Sequence, residues 1–351
     1  MPECLGKARP PAPGGETFRS GFFSTTQFVT LCLGWWWRKN LGVPYLIDIQ
    51  DPWRTDYYER EDAPPPPGGW KYQFARFLAW ILEAPVYQAC SGFLSVSSHY
   101  LEDLCNRYSW FESKPCMVLH FGVSPLDIKT ALARPSGPHH FLKKEDEIHL
   151  LYTGAAGPIM PHALNALFCG FQQYRAQEPR TATRFRFHFY GTSYVAPGCG
   201  WPSVMPVAES YGMAGVVDEI PHRLGHLESL SLQLHTDALI LLGSSDPAYS
   251  PSKLYPYYLS GKPILAVVHT GSYLESLLQE LNCAHTIPFA AEQESESVSQ
   301  NFTRFFEWAA SGFPSTESPK RNTELFNRHY LAEHLTAEQC RFWDQILKDP
   351  V

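Results

Sequence analysis

Apolar and polar positions alternate along the chain in two different patterns. Short runs rich in β-branched and aromatic residues predict strands, and longer stretches with apolar residues three and four positions apart predict helices. In the first half the predicted strands cover residues 21–25, 45–50, 92–96 and 117–121, and the predicted helices cover 27–40, 70–89 and 98–108. Strands and helices in this order are typical of a mostly parallel sheet covered by helices.

The pattern restarts after residues 129–147, which combine proline, glycine, two adjacent histidines and a charged run, the composition of an interdomain linker. In the second half the predicted strands cover 148–153, 185–190, 216–219, 238–242 and 264–268, and the predicted helices cover 161–175, 223–234, 251–260, 272–281, 298–310 and 336–347. Runs that are apolar throughout, such as 238–242, are expected of strands buried on both faces.

This pattern divides the chain into four segments. Residues 1–20, with four prolines and three glycines, predict an irregular tail. We expect an N-terminal doubly wound domain over 21–140 and a C-terminal one over 141–315. Helices within 316–351 are expected to pack back across both domains.

Composition narrows the class of protein. Of 351 residues, 44% are hydrophobic and 18% are charged, as in an ordinary globular protein. A net charge of −7 without any basic run argues against nucleic acid as a partner, because phosphate backbones are bound by clustered Lys and Arg. The nine cysteines are scattered and form no Cys-x-x-Cys pair, which indicates reduced thiols in a cytoplasm rather than disulfides or a zinc site.

One segment raises the question of a membrane. No apolar run reaches the roughly 18 residues that a membrane span needs. However, Trp35, Trp36 and Trp37 are followed by Arg38 and Lys39. Two interpretations stay open: peripheral contact with the inner face of a membrane, or a helix end that packs on the core.

The stretch from residue 238 to 268 carries the strongest signal for a binding site. After a buried strand and a polar loop, Ser250 and Pro251 are the residue types preferred at the N-cap and first position of a helix. Ligands of open α/β sheets bind beyond the carboxyl ends of the strands, so Ser252 and Lys253 in the first turn should face them. Amides, helix dipole and ammonium together suit a phosphate or diphosphate. The alternative is a lysine in a solvated first turn.

Two other predicted turns contain small residues. Gly154 follows the strand 148–153, and Gly191 and Thr192 follow the strand 185–190. Glycine allows a backbone to approach a phosphate closely, although any tight turn would use it. Turns that follow strands of one sheet line the same edge, so together these residues predict a nucleotide pocket.

In the first half, carboxylates lie at the end of a predicted strand. Asp48 and Asp51 are our candidate catalytic residues, because a carboxylate can orient a sugar hydroxyl or accept its proton. The nearby Trp53 offers a flat ring for the apolar side of a pyranose. Asp48 alternates with isoleucines, so a structural role in capping a turn is the alternative.

No metal site or cofactor motif is predicted. His222 and His226 are four residues apart but lack the intervening Glu of a metalloprotease, and His139 and His140 have no third ligand nearby. The sequence also lacks the Gly-x-Ser-x-Gly elbow, the phosphate-binding P-loop and the Gly-x-Gly-x-x-Gly fingerprint.

Several of these segments, in this order, resemble the retaining GT-B-type glycosyltransferases of the family 4-like group. The matching segments are residues 43–53, 94–98, 119–123, 151–154, 251–255 and 261–265. The resemblance implies an α/β architecture of two Rossmann-like doubly wound domains facing a cleft. It also implies a nucleotide-sugar donor in the C-terminal domain, a glycan or lipid-linked acceptor in the N-terminal domain, and no metal.

By position, the resemblance assigns roles to individual residues. It implies Gly154 near the donor diphosphate, Gly191 near the base, and Asp48 or Asp51 on the acceptor side. The residues implied at the sugar, the phosphates and their surroundings are Thr192, Tyr249, Ser250, Ser252, Lys253 and Tyr255.

The chain departs from the family pattern at three places. Pro256 and Ala248 stand where glutamates are usual, residues 155–161 lack a basic pair, and residues 1–20 do not supply the first strand and glycine-rich loop. The expected function is transfer of a sugar from a nucleotide-diphosphate donor with retention, in polysaccharide biosynthesis in the cytoplasm. The alternatives are a catalytically impaired binding or assembly subunit, or another GT-B enzyme such as a sugar-nucleotide epimerase. The oligomeric state is left open.

Overall fold

The computed structural model describes residues 20–55, 69–133, 144–157, 160–193, 198–246, 249–290 and 296–348. The chain forms two compact units, one of Met1–Leu119 with Glu338–Val351 and one of His120–Ala337. This division comes before the predicted boundary at residue 140, because the helix Pro125–Leu132 packs against the helix His226–His235 of the second unit.

The first unit contains a four-stranded parallel sheet with the strand order β1-β2-β3-β4. Its strands are β1 (Gly21–Ser24), β2 (Tyr45–Ile49), β3 (Gly92–Ser95) and β4 (Cys116–Val118). Its helices are α1 (Cys32–Leu41), α2 (Trp70–Ala89) and α3 (Ser98–Arg107), with short 3-10 helices at Phe28–Leu31 and Phe111–Ser113.

Both faces of this sheet are covered, which explains why its central strands are almost continuously apolar. On one face Ile47 and Phe93 pack in a cluster with Val86 of α2. On the other face Leu94 packs with Ile346, near the end of the C-terminal helix Ala332–Lys348. The fit is close, since a Cβ atom on Gly92 would overlap Ile346 Cδ1.

The second unit contains a six-stranded parallel sheet with the order β10-β9-β8-β5-β6-β7. Its strands are β5 (Ile148–Thr153), β6 (Phe185–Tyr190), β7 (Val217–Ile220), β8 (Ala238–Leu242), β9 (Ile264–His269) and β10 (His285–Phe289). Its helices are α4 (Pro125–Leu132), α5 (Pro161–Gln177), α6 (Pro179–Ala182), α7 (Met205–Ser210), α8 (His226–His235), α9 (Leu254–Leu259), α10 (Tyr273–Leu281), α11 (Glu296–Ala310), α12 (Thr323–Tyr330) and the first residues of α13 (Ala332–Lys348).

This strand order is that of a doubly wound fold. From β5 the chain moves outwards through β6 and β7, and then returns to the other side of β5 to form β8, β9 and β10. The reversal creates a topological switch point between β5 and β8, and ligands of such sheets bind at the carboxyl ends of the strands there.

The core of the second unit accounts for much of the chain's aromatic content. A cluster of phenylalanines joins α5 to β6 and α11, with ring centres 4.7 Å apart for Phe171 and Phe187 and 5.0 Å apart for Phe171 and Phe306. On the opposite face of the sheet, the Tyr258 and Phe326 rings stack with centres 3.8 Å apart, which anchors α12.

Several elements differ from the sequence prediction, among them the short helices α4, α6 and α7, which have no predicted counterpart. The strand β10 also has no predicted counterpart. It contains Pro288, which is tolerated because β10 is at the edge of the sheet. The helix α12 was also not predicted. The helix α9 begins at Leu254 rather than at residue 251, because residues 251–254 form a separate turn closed by the Leu254 amide and the Pro251 carbonyl.

Candidate functional site

Strands β5 and β8 separate at the switch point. Their pairing joins Leu150 to Ala238 and Leu151 to Leu239, and goes no further toward their carboxyl ends. Beyond it, the Thr153 amide donates a hydrogen bond to the Tyr257 hydroxyl at 3.0 Å. The buried backbone group is thereby satisfied by a side chain, and the two strand ends stay apart as a binding crevice requires.

Gly154 is the first residue after β5 and has a backbone conformation that favours glycine. Its φ is +115°, and its amide donates to the Tyr190 carbonyl at 2.9 Å. A Cβ atom on Gly154 would lie 3.1 Å from Lys253 Nζ. The glycine therefore leaves room for the lysine, which approaches from the loop that follows β8.

The Lys253 ammonium is held against the ring of a buried tyrosine. Its Nζ donates to the Tyr152 hydroxyl at 2.5 Å and lies 4.0 Å from the centre of that ring. The Tyr152 hydroxyl in turn donates to the Ala155 carbonyl at 2.5 Å, which fixes the turn after β5. Burial of the ammonium lowers the pKa of Lys253 to about 7. Among the described ranges, no carboxylate forms an ion pair with it.

The turn after β6 lies beside the turn after β5. Gly191 has a φ of +76°, and its amide donates to the Ile220 carbonyl at 2.7 Å. A Cβ atom on Gly191 would lie 3.7 Å from the Gly154 nitrogen and 3.7 Å from the Leu224 nitrogen. The turns that follow β5, β6 and β7 therefore meet at one edge, as predicted for Gly154 and Gly191.

A carboxylate that sequence analysis did not single out organises this edge. Glu219, near the end of β7, accepts hydrogen bonds from the Thr192 hydroxyl at 2.5 Å and from the amides of Ser203, Val204 and Met205 at 2.9, 3.0 and 2.7 Å. These amides begin α7, so Glu219 acts as the cap of that helix. The available signal was an acidic residue at the end of a predicted strand.

Glu219 also determines what lies next to the β5 turn. Gly157 has a φ of +79°, and a Cβ atom on it would lie 2.5 Å from Ser203 Cβ. Because Glu219 holds Ser203 and Thr192 together, it joins the turns after β5 and β6 to the segment that begins α7.

The loop before α9 contains four of the predicted binding residues. Tyr249 and Ser250 are half-buried, Ser252 is exposed, and Lys253 is the residue before the first turn of α9. Tyr255 is fully buried instead, and its ring stacks on Tyr330 with centres 5.0 Å apart. The structure therefore places Tyr255 in the core and does not bring it to the edge where Lys253 lies.

In the first unit, Asp48 is part of a small polar cluster at the ends of β1 and β2. Its carboxylate accepts from the Ser24 hydroxyl at 2.8 Å and from the side-chain NH₂ group of Gln50 at 3.0 Å. Asp51 is exposed overall, although partial desolvation of its carboxyl raises its pKa. Trp53 is buried and stacks on Phe28 with centres 5.8 Å apart, so its ring belongs to the core.

Comparison with solved structures identifies the architecture. Neither a protein-family model nor a curated protein matches the sequence. Sucrose-phosphate synthase from Thermosynechococcus elongatus aligns with a TM-score of 0.58 and 12% identity over 92% of this chain and 72% of its own. HepE from Anabaena, solved with UDP and glucose, aligns with a TM-score of 0.58 and 10% identity over 92% and 77%. A UDP-forming trehalose-phosphate synthase from Burkholderia xenovorans aligns with a TM-score of 0.55 and 10% identity over 89% of this chain and 70% of its own.

The chain has the GT-B fold. The predicted α/β class and the resemblance to GT-B glycosyltransferases are confirmed at the level of the fold.

The two histidine pairs of the sequence lie in different parts of the chain. His226 Nε2 lies 3.3 Å from an oxygen of Asp127 on α4, and His139 and His140 are outside the described residues. Within the described ranges, no three His, Cys, Asp or Glu side chains are grouped closely enough to hold a metal ion. No described helix is long and apolar enough to span a bilayer.

Proposed function

We propose that the chain transfers a sugar, with retention, from a nucleotide-diphosphate donor to a glycan or glycolipid acceptor. The observation that carries the proposal is the position of Lys253. Its half-buried side chain holds Nζ on the Tyr152 hydroxyl, beside the Gly154 turn at the switch point, and it forms no ion pair with a carboxylate of the described ranges. A cation buried without a counter-charge is costly, and an anionic ligand would compensate for it.

The chemistry follows from this placement. A donor diphosphate at the carboxyl ends of β5 and β8 would meet the Lys253 ammonium, and its negative charge grows as the bond to the sugar breaks. The Ser250 and Ser252 hydroxyls and Tyr249 lie in the same loop and are proposed to contact the sugar or the phosphates. Gly191 and Thr192 are proposed to lie near the nucleoside. We further propose that the positive charge facing the diphosphate is supplied by Lys253 and not by a bound metal.

The acceptor side is proposed to lie in the first unit. Asp51 is the better candidate for contact with an acceptor hydroxyl, because the residue is exposed and partial desolvation of its carboxyl raises its pKa. Asp48 is already engaged by Ser24 and Gln50, which favours a positioning role. We place the reaction in polysaccharide biosynthesis in the cytoplasm, at the inner face of a membrane where lipid-linked acceptors would be met.

One observation favours a second candidate function, a binding or assembly subunit without transferase activity. Pro256 occupies the first turn of α9, where the resembling enzymes have a glutamate for the donor ribose. A chain that binds a nucleotide sugar but releases no product would support this alternative.

Calorimetric titration with UDP, GDP and ADP sugars tests the donor site directly. We expect one of these series to bind, and Lys253→Met to weaken that binding by about ten- to a hundredfold, the range expected for a charge-assisted contact. Lys320→Met, at an exposed lysine of the same unit, is the matched control and should have no effect. Absence of binding to all three series contradicts the proposal. Product analysis then separates transfer, epimerisation of the donor and binding alone.

A further inference from the structure

Exposed apolar side chains are concentrated on one side of the first unit. Among the described residues, nine of the thirteen large apolar side chains that are exposed lie between Phe28 and Leu41 or on α2. They are Val29, Leu33, Trp36, Leu41, Trp70, Phe74, Phe77, Trp80 and Ile81. We call this set, with the lysines and arginines of the same helices, the α1–α2 face.

The face follows helical periodicity. Trp70, Phe74, Phe77 and Trp80 are four, three and three residues apart, which places them along one side of α2 with exposures of 75%, 55%, 54% and 65%. The opposite side of α2 packs on the sheet through Val86. The helix is therefore apolar on two sides, and within the described structure only one of them is covered.

On α1 the sequence allowed two interpretations of the three tryptophans, and the structure divides them. Trp35 packs against the core cluster, and Trp37 lies 5.6 Å from Phe23 between ring centres. Trp36 is 49% exposed and continues the stripe of Val29 and Leu33. The helices α1 and α2 pack against each other, and Val29 lines one groove together with Phe74, Phe77 and Trp80, so the two stripes adjoin.

The charge on these helices is opposite to that of the whole chain. Arg38, Lys39, Lys71 and Arg76 are on α1 and α2, and the single acidic residue of the two helices, Glu83, is fully buried and paired with Arg107 at 2.9 Å. The chain as a whole has a net charge of −7. Solvent-facing aromatic and aliphatic side chains accompanied by cations, without exposed acids, complement an anionic lipid surface.

A groove runs along this face. It has a volume of about 750 Å³ and lies between the 3-10 helix Phe28–Leu31 and α2, with Trp53, Tyr72 and Arg76 among its lining residues. An apolar groove with a cation beside it can hold part of a single lipid, while the face around it lies flat on the membrane.

We propose that the α1–α2 face docks on an anionic phospholipid bilayer, with the tryptophans and phenylalanines at the lipid interface and the lysines and arginines at the headgroups. The proposal extends the proposed function, because it names the surface on which a lipid-linked acceptor would be met. A second copy of the chain is a less suitable occupant, since a two-fold contact through this face would bring its cations together.

Vesicle co-sedimentation without any nucleotide sugar tests the proposal. The intact chain should bind vesicles of phosphatidylcholine mixed with phosphatidylglycerol, and binding should weaken as salt is added, while vesicles of phosphatidylcholine alone should bind much less. The combined variant Trp70→Ser, Phe74→Ser, Phe77→Ser, Trp80→Ser should bind at least about tenfold more weakly, and so should Lys39→Glu with Lys71→Glu.

The second unit provides the matched control. Trp201→Ser with Leu126→Ser and Leu132→Ser removes exposed apolar side chains elsewhere and should leave vesicle binding unchanged. Thermal unfolding of each variant establishes that it is folded. The proposal is overturned if both α1–α2 variants bind vesicles as well as the intact chain does. It is also overturned if the intact chain does not bind vesicles but forms a dimer, and the aromatic variant is a monomer. Because no nucleotide is present, failure here is distinguishable from failure of the donor site.

Discussion

A Cβ atom added to Gly154 would lie 3.1 Å from the ammonium nitrogen of Lys253. This approach joins two loops that are far apart in the sequence, one after β5 and one after β8. It also joins a conformational requirement, the positive φ of Gly154, to an electrostatic one, the placement of a cation at the switch point.

The first prediction separates these two requirements. Gly154→Ala should lower the free energy of unfolding by about 1–3 kcal/mol and weaken nucleotide-sugar binding by about tenfold, because the methyl group displaces the ammonium. Gly261→Ala is the matched control, since Gly261 also has a positive φ of +73° but has nothing within 4 Å of the added Cβ. It should lose stability without losing affinity. Equal loss of affinity in both variants would mean that Gly154 acts only through the backbone. Thermal unfolding and calorimetry supply the two measurements.

The second prediction concerns proton uptake. Burial lowers the pKa of Lys253 to about 7, so near pH 8 most of the free protein has a neutral amine at this position. A bound diphosphate favours the charged form and raises this pKa, so binding should take up about one proton. Calorimetry in two buffers of different ionisation enthalpy measures the uptake, and Lys253→Met should abolish it. Identical enthalpies in both buffers would show that the diphosphate does not meet Lys253.

The third prediction is a stability difference that depends on pH. The folded pKa of Lys253 is below the ordinary lysine value of 10.5, so the unfolded chain binds more protons between about pH 7 and 10. Burial of the charged lysine therefore lowers the free energy of unfolding by its full amount below that window, and this destabilisation disappears above it. A tenfold change in an acid dissociation constant corresponds to about 1.4 kcal/mol.

Lys253→Met should consequently be more stable than the natural chain by at least about 1 kcal/mol near pH 6, with a difference that shrinks toward pH 10. Part of the gain is offset by loss of the contact with Tyr152. Thermal unfolding across this pH range measures it, and Lys320→Met, at an exposed position, should show no such trend. A variant that is less stable at every pH would mean that the lysine is not desolvated.

Much of this arrangement could be predicted because the signals are local. Strands buried on both faces are apolar throughout, as in 238–242, and turns that need a positive φ reveal themselves as glycine, as at Gly154 and Gly191. That the turns after β5 and β6 meet at one edge then follows from the parallel order of the strands.

The remaining features depend on packing between distant segments. Tyr255 was predicted to bind the donor, but its ring stacks on Tyr330 of α12, a helix whose pattern was not recognised. Glu219 was missed because its partners Thr192 and Ser203 come beside it only when β6 and β7 pair. Whether Asp48 is catalytic depends likewise on Ser24, which parallel pairing of β1 and β2 places opposite it.

The fourth prediction tests Glu219 as the residue that holds together the edge proposed to bind the nucleotide. Its two carboxylate oxygens accept from the Thr192 hydroxyl and from three amides at the start of α7. Glu219→Gln keeps the shape of the side chain but replaces one accepting oxygen by an NH₂ group. That NH₂ group would point at N–H or O–H donors and could accept no hydrogen bond from them. We expect a loss of about 1–3 kcal/mol in the free energy of unfolding, or roughly 2–4 °C in Tm for each kcal/mol. The effect should be local as well, with faster amide hydrogen exchange at Val204 and Met205 and weaker binding of the nucleotide sugar.

Asp218→Asn is the matched control. The Asp218 carboxylate is exposed and accepts a hydrogen bond from the Tyr190 hydroxyl at 2.6 Å, and the side-chain oxygen of asparagine can still accept that bond. If both variants changed exchange at Val204 and Met205 equally, the start of α7 would be ordered by strand β7 as a whole and not by the hydrogen bonds of Glu219.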